Sequence, residues 1–257
     1  MSTPMNKLLT AAAVAAWIGV AAPAGAAEAP EIPEHDWSFS GMFGTFDRGA
    51  LQRGLQVYRE VCSNCHSLDL IAFRNLAALG LSPDEIQAIA EGYEVEDGPD
   101  DEGEMFMRPA RASDYFVPPF PNEQAARASN NGALPPDLSL IVKARKGGAD
   151  YVYGLLTGYE EEPPADVELM EGMYYSKVFP GHQIAMAPPL YEGSVEYADG
   201  TEATLDQEAE DVVTFLAWTA QPELEQRKRM GVKVLLFLIV LTAMLFALKR
   251  KIWSDVH

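Results

Sequence analysis

Cys62 and Cys65 are the only cysteines in a chain of 257 residues, and His66 follows them directly in the run Val-Cys-Ser-Asn-Cys-His. Two thiols and an imidazole at this spacing serve three chemistries. A redox dithiol of the thioredoxin kind sits on a strand–loop–helix unit of an α/β sheet, and alternating strand patterns are scarce here. Half a zinc site needs two further ligands, yet His35, His182 and His257 are scattered along the chain. Covalent haem attachment uses every part of the motif: the thiols add across the two vinyl groups and His66 lies under the iron. This reading consumes both cysteines as thioethers. It also gives the chain a rigid apolar body to fold around.

The compartment follows from the ends of the chain. Lys7, the apolar run Leu8 to Ala22 and the small residues Ala24-Gly25-Ala26 form a secretory signal peptide over 1–26, cut after Ala26. The competing reading is a first membrane helix, against which Pro23 and Gly25 stand. Near the other end, Met230 to Leu248 is an apolar run of about 29 Å as helix, matched to a hydrocarbon core of about 30 Å. Arg227 to Arg229 flank it on one side and Lys249 to Lys251 on the other, so the positive-inside rule barely orients it. The signal peptide does: residues 27–226 are exported, 227–250 anchor the chain and 251–257 stay in the cytoplasm.

The exported body reads as helical. Leu51, Leu55, Tyr58 and Val61 share one face after Asp47 as N-cap. Ser82, Pro83 and Glu85 form a capping box. A short helix is predicted before Gly132, another from Pro136-Asp137 to Gly147, and a third with Asp150 as cap and Gly158 as stop. A Thr204–Gln207 capping box opens a helix carrying Val212, Phe215, Leu216 and Trp218. The best hairpin candidate is Gly193 to Ala203. Loops at 94–121, 159–173 and 178–200 are too long for a helical bundle with nothing inside it, which again asks for a bound group in the core.

The formal charge of -19 excludes nucleic acid as a partner, since phosphate backbones select for Lys and Arg. It favours a basic partner or serves solubility alone. Seven of the acids fall in the run 94–104.

A sixth iron ligand is the remaining question. Methionine stabilises ferrous iron and raises the potential, imidazole lowers it, and an open site admits a substrate or gas. Met105, Met107, Met170 and Met173 lie in acidic segments. Met186 precedes the stiff pair Pro188-Pro189, which holds a loop extended, and it is the preferred candidate. His182, four residues earlier, is its rival.

The runs RGLQVYREVCSNCHSL, SDYFVPPFPNEQAARASNNGALPPDLSLIVKARKGGADYVYGLLTGYEEEPP, FPGHQIAMAPPLYEGSVEYADGT, AEDVVTFLAWTAQPE and RKRMGVKVLLF resemble the cytochrome c1 family, the haem subunits of quinol–cytochrome c reductase, the cytochrome bc1 complex. The resemblance implies an all-α, class I cytochrome c-like haem domain with long loop insertions and one C-terminal transmembrane helix. It implies thioether anchors at Cys62 and Cys65, axial ligands at His66 and Met186, a haem-propionate partner at Arg145, and pocket positions at Asn130, Pro135, Pro136 and Tyr151. Some bacterial relatives carry an extra cysteine pair before the methionine ligand; this chain does not. The work implied is a one-electron relay from the Rieske iron–sulfur protein to a cytochrome c, beside cytochrome b, in a dimeric complex of the inner membrane with the haem domain periplasmic. No substrate bond changes at such a subunit. The 94–104 run would then steer a basic cytochrome c. A stand-alone anchored cytochrome or a haem peroxidase are the alternatives. A free carrier would want a flexible linker, and TAQPELEQRKRM reads as continuing helix.

Overall fold

A computed structural model of the chain describes residues 31–255, Asp166 excepted; the signal peptide over 1–26 lies outside the described residues. The helices are α1 (Arg48–Glu60), α2 (Pro83–Glu91), α3 (Glu123–Ser129), α4 (Ile141–Ala144), α5 (Gly148–Thr157), α6 (Leu205–Ala220) and α7 (Leu224–Ile252). Two 3-10 turns, Cys62–Asn64 and Phe73–Leu79, join them. Two predicted caps form: Asp47 accepts from the Ala50 amide, and Ser82 and Glu85 cap each other's backbone. Of the predicted Thr204–Gln207 box one half is present, Thr204 accepting from the Gln207 amide.

The core forms where α1 crosses α6. Leu51, Leu55 and Tyr58 of α1 meet Val212, Phe215 and Leu216 of α6, with Phe73, Leu76 and Leu79 closing one side. Gly54 sets the distance of closest approach. A Cβ there would stand 2.0 Å from the Asp211 carbonyl oxygen and 2.7 Å from Phe215 Cβ. Beside it, Arg53 donates two hydrogen bonds to the fully buried Asp211, 2.7 and 2.9 Å, and a third to Asp199 at 3.0 Å.

Several predicted elements are different in the structure. The Gly193–Ala203 segment is turns rather than a hairpin. Strands occur instead as β1 (Glu94–Asp97) paired antiparallel with β2 (Phe106–Pro109), and β3 (Tyr174–Tyr175) with β4 (Gln183–Ile184). The acidic run is therefore an ordered hairpin. Asp100 closes its turn by accepting from the amides of Glu102 and Glu104, both at 2.9 Å, and Arg108 pairs with Asp97 and Asp114. The helix predicted from Pro136 shrinks to α4, because the groups before it bond across to another loop. Asp150 does not cap α5. Gly147, at φ +90°, takes that place, and Asp150 accepts from the Trp37 indole at 2.6 Å.

Three residues, Gln221 to Glu223, separate α6 from α7. The start of α7 is clamped to the body. Glu225 accepts from the Phe46 amide at 3.0 Å and from Arg48 at 2.9 Å, while Lys228 donates to the carbonyls of Phe39 and Gly44 at 2.6 and 3.0 Å. Among the described residues α7 is the one helix long and apolar enough to cross a membrane, and from Lys233 onward its side chains stand exposed.

Candidate functional site

The Cys62–Asn64 turn continues from α1. The amides of Cys65 and His66 both donate to the Cys62 carbonyl, at 3.1 and 2.9 Å. Both thiols and the imidazole thus hang on one tight turn, and the thiols are free. Burial pushes the Cys62 thiol up to about 12.

His66 is oriented from two sides. Its Nδ1 lies 2.7 Å from the Pro136 carbonyl, and its own carbonyl accepts from the Tyr58 hydroxyl at 3.2 Å. A carbonyl only accepts, so Nδ1 carries the proton and, in the neutral ring, Nε2 carries the lone pair. Burial lowers the His66 pKa, which keeps that neutral form. The Pro136 segment is itself stapled to the His66 loop. Asp137 accepts from the Ser67 hydroxyl at 2.9 Å and the Asp69 amide at 2.7 Å, Ser139 accepts from the Leu70 amide at 3.1 Å, and the Leu138 amide donates to Ser67 at 2.9 Å. These bonds displace the expected helix start.

Met186 is half-buried, and its carbonyl accepts from the Tyr159 hydroxyl at 3.1 Å. Burial raises the Tyr159 phenol, with Tyr151 a nearby contributor. Tyr151 is raised chiefly by burial, against the Arg145 guanidinium beside it, which lowers it. Arg145, Tyr151, Tyr159 and the Met186 loop, distant in sequence, are therefore successive neighbours in space. Pro135 is half-buried and Pro136 exposed; Asn130 ends α3 and donates to the Ala126 carbonyl at 2.7 Å. His182 has other work. It sits in a turn at φ +59°, stacks on Tyr175 with ring centroids 5.7 Å apart, and has Nδ1 3.1 Å from the Ser176 carbonyl.

The donor set fits a haem. It offers two free thiols on one turn, an imidazole with the proton fixed on the far nitrogen, a loop-held thioether and a cation among the same neighbours. Among the described residues no group of three His, Cys, Asp or Glu is placed to hold a metal ion. A family model described as the Cytochrome C1 family matches residues 37–256.

The chain belongs to the cytochrome c1 family.

Cytochrome c1 of Rhodospirillum rubrum is 48% identical, over 100% of this chain and 99% of that protein. A fission yeast relative, "Cytochrome c1, heme protein, mitochondrial" of Schizosaccharomyces pombe, is 50% identical over 98% of this chain and 83% of its own length. "Cytochrome b/c1" of Bradyrhizobium diazoefficiens is 52% identical over 88% of this chain, which spans 36% of that longer protein.

Within this cytochrome c1 family member, two positioning residues escape a motif reading. Tyr159 has no periodicity to mark it; only its place before the acidic Glu160-Glu161-Glu162 run distinguishes it. Asp137 was visible as a residue after two prolines, but that context points to a helix cap, and its partners lie 68 and 70 residues away.

Proposed function

We propose that this chain is the electron-relay subunit of a cytochrome bc1 complex, holding one haem through thioethers at Cys62 and Cys65. His66 Nε2 and the Met186 thioether would be the axial ligands. When bound, the haem supplies a one-electron couple whose potential is raised by thioether ligation. The observation that carries the reading is the 2.7 Å contact from His66 Nδ1 to the Pro136 carbonyl. It holds the ring in the tautomer a ligand needs and makes Nε2 the better donor.

The other residues have supporting tasks. Arg145 would pair with a propionate through a charge-assisted hydrogen bond. Tyr151, Pro135, Pro136 and Asn130 would line the pocket, and Tyr159 would hold the Met186 loop. The stacking of His182 on Tyr175 and the Tyr159 bond that holds the Met186 loop favour Met186 as distal ligand. Residues 27–226 form the haem domain on the periplasmic side of the inner membrane, 227–250 the anchor and 251–257 a cytoplasmic tail. Electrons arrive from the Rieske protein beside cytochrome b, in a dimeric complex, and leave to a cytochrome c. The three-residue α6–α7 connection and the Glu225 and Lys228 clamps support a head fixed in a complex over a freely swinging carrier.

The test is ligand replacement. Cys62→Ala with Cys65→Ala should abolish covalent haem staining on a denaturing gel. Met186→Leu should keep the stain, lower the midpoint potential and admit carbon monoxide to the ferrous protein; His182→Ala should do neither. Carbon monoxide binding in His182→Ala alone would transfer the ligand role to His182.

A further inference from the structure

The Ser38–Thr45 loop is built with its apolar tip turned outward. The Ser40 amide donates to the Trp37 carbonyl at 2.9 Å and the Thr45 amide to Ser38 at 3.1 Å, closing the loop. Gly41 has φ +67°, and a Cβ on Gly44 would fall 1.9 Å from the Ser40 carbonyl oxygen, so the tip turns tightly between two glycines. Trp37, Phe39 and Phe46 stack beneath it, Trp37 and Phe46 buried. Met42 and Phe43 point away, 58% and 79% exposed. Phe43 is more exposed than any large apolar side chain of α7.

The tip stands at a defined depth. Met42, Phe43, Gly44 and Thr45 share one groove with Glu225, Lys228, Arg229, Val232 and Lys233 of α7. Those are the basic turn that precedes the apolar run and the first turn of that run, so the tip is level with the start of Met230–Leu248. Lys228 bonds to the Phe39 and Gly44 carbonyls and fixes it there.

We propose that this loop is a second, interfacial membrane contact. Met42 and Phe43 seat in the headgroup–acyl boundary of the leaflet where α7 enters, and Arg229 and Lys233 meet lipid phosphates. Two observations select lipid as occupant. The surface is continuous with a helix whose apolar side chains need a bilayer. A pair of exposed apolar residues flanked on its α7 side by Lys233 and Arg229, the latter also 3.3 Å from Glu225, is the pattern interfacial anchors use. A foot beside a single helix would fix the tilt of the head above the membrane, which one helix alone leaves free.

The inference rests on reading α7 as a membrane span, so the test measures both separately. Phe43→Cys, Leu238→Cys in α7 and Met107→Cys on the distant hairpin are each made in the full-length holoprotein, where the native cysteines are thioethers. Each is spin-labelled and measured in vesicles of phosphatidylcholine with phosphatidylglycerol and in the intact complex. Relaxation by oxygen, which partitions into lipid, is compared with relaxation by a water-soluble nickel chelate. The expected result is an oxygen-to-nickel ratio at position 43 several-fold above that at 107 and approaching that at 238, in both preparations. A water-like ratio at 43 with a lipid-like ratio at 238 overturns the foot and leaves the anchor. Water-like ratios at both overturn the anchor and the foot with it. A label at 43 shielded from both reagents in the complex assigns the surface to another subunit and overturns lipid as occupant.

Discussion

At the scale of single residues, the proposed site depends on hydrogen bonds that orient His66 and the Met186 loop from outside the proposed ligand set. Tyr159 is the sharpest case. Its hydroxyl is the partner of the half-buried Met186 carbonyl, and a hydrogen bond of this kind contributes about 0.5–1.5 kcal/mol. Tyr159→Phe should lower stability by about that amount, measured by denaturant unfolding, and let carbon monoxide reach the ferrous protein faster. Unchanged carbon monoxide kinetics would mean that Tyr159 only packs. Glu208 is a different kind of residue. It is fully buried, accepts from the Val195 amide at 3.1 Å through one oxygen, and its other oxygen has no partner among the described residues. Burial raises its pKa above the ordinary carboxylate value. The folded state therefore holds the proton more tightly than the unfolded one, and stability falls as pH rises from the ordinary value through the raised one. Glu208→Gln should stabilise the protein, and by more at pH 8 than at pH 5. An equal gain at both, in thermal unfolding, would refute the ionisation argument.

Elements are held at distances that small residues permit. Because Gly54 lets α1 and α6 touch at backbone contact, Gly54→Ala must push the helices apart or bend one of them. Overpacking of this kind costs about 1–3 kcal/mol and occasionally more; here the obstacle is a carbonyl rather than a movable side chain, which places the change at the upper end. The Cys62–Cys65 turn leaves directly from α1, so a shifted α1 also displaces both thiols. We expect a lower yield of covalently haem-stained protein together with a lower unfolding midpoint. Full staining at a wild-type midpoint would show that the crossing yields easily. The β1–β2 hairpin is the other informative element. Asp97 is held by Arg108 and Asp100 by backbone amides, and those bonds keep both carboxyls below the usual range. These two acids maintain the hairpin, which leaves Glu94, Glu96, Asp101, Glu102 and Glu104 for other uses.

Over the whole molecule, net charge and the membrane anchor act together. A cytochrome c reached by electrostatic steering should be reduced more slowly as salt rises, because screening shortens from about 30 Å at 0.01 M to about 10 Å at 0.1 M. Changing Glu96, Asp101, Glu102 and Glu104 to their amides should flatten that dependence if the hairpin faces the partner, while Asp97 and Asp100 keep the hairpin closed. Stopped-flow reduction of a basic cytochrome c across a salt series measures it; a slope equal to the unmodified protein's would place the steering charges elsewhere. A soluble version for that measurement should retain α7 through Arg229. A cut before Arg227 removes Lys228 and frees the loop that it holds to the body.

The sequence alone determined the family resemblance and the local signals. Cys62, Cys65 and His66 fall within five residues, so the joint use proposed for them can be read without a fold. Asp47, Ser82 and Thr204 cap helices through bonds spanning three residues, and the Met230–Leu248 run is long enough to need a bilayer whatever surrounds it. Tertiary structure decided what depends on contacts across the chain. Pro136 meets His66 over 70 residues, Tyr159 meets Met186 over 27, and Asp150 meets Trp37 over 113. Asp150 reads as a helix cap and Pro136-Asp137 as a helix start, because that is the local use of a carboxylate beside a turn. Partners delivered by the fold took those oxygens instead, and a bond donated from a distant loop leaves no trace in the spacing of neighbouring residues.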